Sequence, residues 1–230
     1  MTTLRYVVAD VFTDEALTGN QLAVFTDGRG VDDETMLKLA REMNFSETVF
    51  VLPPESGGHA RIRIFTPKVE LPFAGHPVLG SAFVLGAPLQ LTEIRLETEA
   101  GVIPIMLERE GARIVFGWMQ QPIPNWKPFA QAEELQELLG VRSQLPVEVY
   151  DLGQHHVFLE LGSEEEVAAL EPDFAALGRL TEIGVNCFAG SGTHWKTRMF
   201  AKAGVNSRAA LVARVLEEEL VFDERRVLPR

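Results

Sequence analysis

The sequence is short of cysteine, of positive charge and of long apolar runs. Cys187 is the single cysteine in 230 residues. No disulfide can close within the chain, and no zinc cluster can be built from thiolates. Lys and Arg number 21 against 33 Asp and Glu, a formal net charge of −12. That excludes the basic footprint of a nucleic-acid surface and a polybasic membrane contact. No apolar run reaches the roughly 20 residues that span a bilayer. The longest, "PVLGSAFVLGAPL", is interrupted by Gly and Pro and reads as a buried core helix. The start, "MTTLRYVVADVF", has neither an apolar h-region nor a small-residue cleavage site, so a signal peptide is not expected and the cytoplasm is the simplest compartment. No G-x-G-x-x-G follows the first strand, and no P-loop, G-x-S-x-G elbow or H-x-x-x-H pair appears. A dinucleotide site and a His-bound metal therefore have no support.

What is present is ordinary globular material, 46% hydrophobic and 23% charged. The length suits one large domain or two small ones, with enough chain to bury a sizeable core. "RYVVADVF" and "QLAVFT" read as short strands. "VDDETMLKLAREMN" carries Met36, Leu39, Ala40 and Met43 on one helical stripe, with Asp32 as N-cap and Val31 and Met36 as a hydrophobic staple. "ETVFVL" follows as a strand. "HARIRIFT" alternates, Ile62 and Ile64 against Arg61 and Arg63. The stretch from Pro77 to Leu85 predicts a helix wrapped on all sides, with Pro77 in its first turn. Three strands come next, and Pro104 demotes the middle one towards an edge or a bulge. "PIPNWKP" reads as a linker. Beyond it the pattern repeats loosely: helix "AQAEELQELLG", strands "VEVYDL" and "HVFLEL", a capping box at Ser163 and Glu166, a short helix, strands "IGVNCFA" and "KTRMFA". The helix "SRAALVARVLEEEL" comes last, with Ser207 as its N-cap and the EEEL run as its solvated face.

Two stretches carry candidate chemistry. In "FAGHPVLG", Gly75 lets a ligand approach the backbone, and the first-turn N–H groups with the helix dipole favour an anion beside His76. A small carboxylate or phosphate fits, and so does a capped helix start with no ligand. In "NFSETVFV", Glu47 stands at the mouth of a strand. It is either a solvated turn residue or, if Phe45, Val49 and Phe50 enclose it, a carboxyl with a raised pKa able to remove and return a proton. His155 and His156 point to opposite faces of one strand and cannot share a metal. His59 and His194 read as loop residues, Cys187 as an inert buried thiol, and the G-S-G after it as a hairpin turn.

"DVFTDEALTGNQLAVF", "MNFSETVFV", "IRIFTPKVELPFAGHPVLGSAFVL" and "GVNCFAGSG…TRMFA" together resemble the phenazine biosynthesis PhzF-like family, related in fold to diaminopimelate epimerase. The resemblance implies an α+β fold of two pseudo-symmetric domains, each a curled sheet around a central helix, with the active site between them. Domains are expected at 1–121 and 129–230, joined by the linker 122–128. It also implies a cofactor-independent isomerase acting on a small carboxylic acid of the dihydro-hydroxyanthranilate type. Glu47 becomes its proton shuttle, and Asn20, Gly75 and His76 its substrate contacts. A homodimer is expected. After "RMFA" the family's Asp-Pro-Ala-Thr-Gly-Ser loop is absent, and the second domain reads as shortened. That departure leaves a second reading, a non-catalytic relative that binds a small acid or a protein partner.

Overall fold

The computed structural model describes residues 3–15, 17–152, 155–181, 183–192, 194–200 and 216–221. Two units divide the chain: Met1–Ile123 with Leu152–Gln154, and Pro124–Asp151 with His155–Arg230. Among the described residues, no helix is long and apolar enough to cross a membrane.

In the first unit β1 (Tyr6–Val11) and β2 (Asn20–Phe25) pair antiparallel. Helix α1 (Asp33–Met43) then crosses to β3 (Glu47–Leu52), which lies parallel to β2. The helix begins where the Asp32 side chain accepts the Thr35 N–H at 2.8 Å. It stops at Asn44, which turns left-handed at φ 52° and frees the chain to re-enter the sheet three residues later. β4 (Ala60–Phe65) runs antiparallel to β3, with the short β5 (Glu70–Leu71) beside it. Helix α2 (Gly75–Leu89) crosses over to β6 (Glu93–Thr98), parallel to β4. β7 (Gly101–Glu110) and β8 (Arg113–Met119) complete the sheet.

Alternation along the strands divides two apolar layers. Leu22, Val24, Val49, Val51, Ile62 and Ile64 face α2, while Phe25, Phe50 and Phe65 face Met36 and Ala40 of α1. The sheet curls round α2, which touches β1, β2, β3, β6, β7 and β8. So close a wrap needs small residues on the helix. A Cβ at Gly80 would stand 2.6 Å from Leu22 Cδ2 and 2.7 Å from Val11 Cγ2. Pro104 does not make an edge. β7 lies between β6 and β8, and the register shift falls at Glu108/Arg109 instead. The pairing of β7 with β8 begins at Ile105, and Pro104 offers only its carbonyl, to the Gln120 N–H at 3.1 Å. Its missing N–H therefore faces a position where no ladder bond is required.

The second unit repeats the first unit's opening pattern. β10 (Glu148–Asp151) and β11 (His155–Glu160) pair antiparallel; α4 (Glu164–Ala169) and α5 (Phe174–Leu180) cross to β12 (Gly184–Ser191), parallel to β11; and β13 (His194–Phe200) returns antiparallel. β9 (Asn125–Pro128) extends the β10 edge, and α3 (Ala132–Leu139) ends at Gly140, φ 68°. Thus the stretch 122–128, read as a linker, becomes strand from Asn125 onward, its backbone paired with β10. Val149, Val157, Leu159, Val185 and Cys187 form this unit's core. On the alternate positions an aromatic row crosses the sheet, Trp126, Tyr150, Phe158, Phe188 and Trp195, each ring centroid 5.3–6.3 Å from the next.

Two expectations change here. His194 is not in a loop but opens β13, paired with Ser191 across the hairpin that the G-S-G stretch predicted. Leu216–Val221 is not helix but β14, antiparallel to β13 with Glu217 opposite Arg198 and Glu219 opposite Lys196. Its residues favour helix only by tenths of a kcal/mol each, about what one unpaired strand edge outweighs. The remainder of the predicted helix, with Ser207, lies outside the described residues.

Candidate active site

Glu47 is the first residue of β3, and alternation puts its side chain on the face of Val49 and Val51, towards α2. Asn20 is the first residue of β2, on the same face as Leu22 and Val24, and β2 and β3 run parallel with Leu22 beside Glu47. Gly75 and His76 open α2. Strand parity and the helix start thus bring all four predicted residues to one end of the wrapped helix. Phe50 is not part of the enclosure: it packs against Phe25 and Phe65 on the α1 side.

The start of α2 is unlike that of α1. Its N-cap, Ala74, has no side chain able to accept a hydrogen bond, and the first turn holds no acidic residue. The first-turn N–H groups therefore keep their dipole potential for an outside anion. A Cβ at Gly75 would sit at ordinary contact distance from Met119 Cε, 3.6 Å, and the Gln121 side chain, 3.8 Å, so packing does not force a glycine there.

Glu47 and His76 side chains are 15% and 9% exposed, and His76 Nδ1 lies 3.2 Å from Glu47 Oε2. The contact is a close approach, not a hydrogen bond, for Glu47 Oε2 and His76 Nε2 are both buried without a hydrogen-bond partner. Burial raises the Glu47 carboxyl above its ordinary range, opposed by a hydrogen bond with the Ser46 side chain. Burial likewise pushes the His76 imidazolium down to about 4, opposed by a backbone hydrogen bond with Gln21. At neutral pH a neutral imidazole therefore stands beside a carboxyl whose proton is held more tightly than usual. Each unpaired buried polar atom costs about 1–3 kcal/mol. A polar ligand able to reach Glu47 Oε2 and His76 Nε2 would repair that cost.

Ser46 and Gln121 escaped the sequence reading. Ser46 Oγ donates to Asn20 Oδ1 at 3.2 Å, joining β2 to β3 beside Glu47. Its place in "NFSETVFV" next to the candidate acid was the available signal; Gln121 had none. His156 is half-buried and shares a contact with Asn186, 3.1 Å, and His155 pairs outward with Asp151 at 3.3 Å. Cys187 is buried and its thiol is pushed up to about 12 by desolvation, which makes it inert. Among the described residues, no group of three or more His, Cys, Asp or Glu is placed to hold a metal.

Comparison with known proteins adds the following. The phenazine biosynthesis-like protein family matches residues 9–208. A protein of Pseudomonas aeruginosa named trans-2,3-dihydro-3-hydroxyanthranilate isomerase is 50% identical over 90% of this chain and 75% of its own length. The crystal structure of a Bacillus anthracis phenazine biosynthesis protein, PhzF family, superposes with a TM-score of 0.71 at 26% identity, over 87% of this chain and 73% of that one. A hydroxyproline epimerase from Agrobacterium vitis, 11% identical with a TM-score of 0.59 over 86% of this chain and 70% of that one, shares the fold.

Proposed function

The chain belongs to the phenazine biosynthesis-like family and is an isomerase, and we propose that it acts on trans-2,3-dihydro-3-hydroxyanthranilate or a close analogue, with Glu47 as proton shuttle and no cofactor. The observation that carries this reading is the buried, unpaired Glu47 oxygen beside the neutral His76 at the open start of α2. An isomerisation of this kind neither gains nor loses a proton overall. One carboxylate suffices: it takes a proton from one carbon, holds it as the acid, and returns it to another atom of the same molecule. Burial suits Glu47 to both halves of that cycle, because it brings the carboxyl's affinity for a proton closer to that of its carbon partner. The substrate's carboxylate accepts from the first-turn N–H groups at Gly75 and His76, with Gly75 allowing close approach. His76, kept neutral, offers one donor and one acceptor, and Asn20 contacts the substrate from the head of β2.

Replacement of Glu47 by Gln keeps the size and removes the exchangeable proton. Turnover should fall about 10²–10⁴-fold, the range of general acid–base catalysis. Solvent deuterium should no longer enter the substrate, while substrate binding by calorimetry stays within a few-fold. Deuterium incorporation at the wild-type rate by Glu47→Gln would remove Glu47 from the reaction. Relatives named isomerases weigh against the non-catalytic reading. A homodimer in the cytoplasm belongs to the same proposal. It is supported by the edge strand β1, where Tyr6, Val7 and Val8 are 51%, 43% and 49% exposed. Sedimentation should return twice the chain mass, and a monomer mass at all micromolar concentrations would end that part.

A further inference from the structure

We infer that Ser46 is a positioning residue for Glu47, its one O–H turning between Asn20 Oδ1 and the Glu47 carboxylate as Glu47 loses and gains the substrate's proton. The inference rests on the proposed role of Glu47 as shuttle. A serine hydroxyl has a single donor and can accept besides. Asn20 Oδ1 holds it at 3.2 Å. Glu47 is the next residue, and hydrogen bonding from the Ser46 side chain opposes the rise that burial causes in its carboxyl pKa. When Glu47 is protonated, its own O–H can donate to Ser46 Oγ while the serine keeps its donation to Asn20, the one bond of this relay that the structure shows. When Glu47 is ionised, the hydroxyl turns to the carboxylate, which is the stronger acceptor. No proton leaves the serine and no bond to it breaks; only the rotor turns. The consequence is a carboxyl stabilised in both charge states, which a shuttle needs and which burial alone would not give.

The surroundings leave few other groups able to do this. From α2 the titratable group facing Glu47 is His76, whose Nδ1 lies 3.2 Å away. β2 presents Asn20 and Leu22 on that face, and β4 presents Ile62 and Ile64. Helix α1 packs on the opposite side of the sheet. Among the described residues Ser46 is therefore the hydroxyl that answers the charge on Glu47.

The test is the pH dependence of kcat for the full chain, with the dihydro-hydroxyanthranilate as substrate, in three variants. Ser46→Ala leaves the buried carboxylate without its donor. The acid limb should move up by about one pH unit, a loss of roughly tenfold in kcat below it, with KM changed less than about twofold. Asn20→Ala removes the competing acceptor, gives the hydroxyl to Glu47 alone, and should move the limb down, whatever it does to KM. Ser46→Thr keeps a hydroxyl and should restore the wild-type limb. Opposite displacements with threonine rescue support the inference. An unmoved limb in Ser46→Ala, displacement of both alanine variants in one direction, or failure of threonine to rescue overturns it. If Ser46→Ala does not fold, the Asn20→Ala limb decides alone, and no downward shift overturns the inference. Glu47→Gln distinguishes the two levels. Retained deuterium exchange in that variant brings down the shuttle and this inference together. Lost exchange with an unmoved Ser46→Ala limb brings down this inference only.

Discussion

Glu47 and Glu97 look alike in the sequence, each an acid beside a threonine in an apolar strand. In the folded chain they are opposites. Glu97 is buried, yet its carboxylate accepts the N–H groups of Glu55 at 2.6 Å, Ser56 at 2.6 Å and Gly58 at 2.7 Å. Burial raises its pKa, and the three backbone bonds together with the Arg61 charge outweigh burial and bring it below the ordinary value. Glu47 has no such nest, so burial prevails and its pKa rises. The difference between a structural and a chemical carboxylate thus lies in backbone groups from a distant turn, and alternation alone could not reveal it. His76 gives this scale its prediction. The imidazole titrates at 6.5 when unfolded and is pushed down to about 4 in the fold. Between those values the unfolded chain holds a proton that the folded chain refuses. The stability this supplies is fully present above pH 6.5 and is lost as pH falls towards 4, about 3 kcal/mol in all. Glu47 acts in the opposite sense, since a raised carboxyl pKa favours the folded chain at low pH and loses that favour as pH rises through the folded value. The comparison must therefore be made with Glu47 intact. Urea midpoints of His76→Asn against wild type should converge from pH 7 down to pH 4. A constant gap across that range would show that His76 does not titrate as a buried neutral ring.

At the scale of the element, α2 decides the geometry of the site, and most of it was legible. The nearly all-apolar stretch from Pro77 to Leu85 pointed to its burial, Pro77 to its first turn, and Gly75-His76 to its start. What the run did not reveal is which neighbours demand its glycines. At Gly80 two forces oppose each other. Alanine in a helix interior gains about 1 kcal/mol over glycine. The added Cβ would press against Leu22 and Val11, which are 0% and 6% exposed and have nowhere to swing. Overpacking of this kind costs about 1–3 kcal/mol, so the clash prevails and Gly80→Ala should destabilise by up to about 2 kcal/mol in denaturant titrations. Because Leu22 lies beside Glu47 on neighbouring strands, the same change should also lower turnover. A stabilised variant would show that α2 can slide away from β1 and β2. The misread elements share one cause. Pro104 in β7 and the acidic run in β14 were judged by local preference, and in both places the pairing of an adjacent strand determined the outcome.

For the whole molecule, the order hairpin, helical crossover, parallel strand, antiparallel return occurs twice, once in each unit. The family resemblance implied two pseudo-symmetric halves, whereas residue patterning alone repeated only loosely, because the shared feature is pairing topology and not residue identity. The two units also keep separate cores. Leu96 belongs to the cluster around α2 and Leu159 to the cluster of the second sheet, both are 0% exposed, and among the described residues no buried residue is common to the two clusters. Truncating either leucine to alanine should cost about 2–5 kcal/mol, the range for emptied cores. Residues without shared partners couple weakly, so the double variant should cost the sum of the singles to within about 0.5 kcal/mol. Trp118 lies in the first unit and Trp126 and Trp195 in the second, which lets fluorescence follow each. In a Trp118→Phe background the remaining signal belongs to the second unit. Leu159→Ala should shift that transition to lower denaturant, and Leu96→Ala should leave it in place. If Leu96→Ala moves it as far as Leu159→Ala does, the two cores unfold as one, and the topological repeat is not a repeat of independently stable parts.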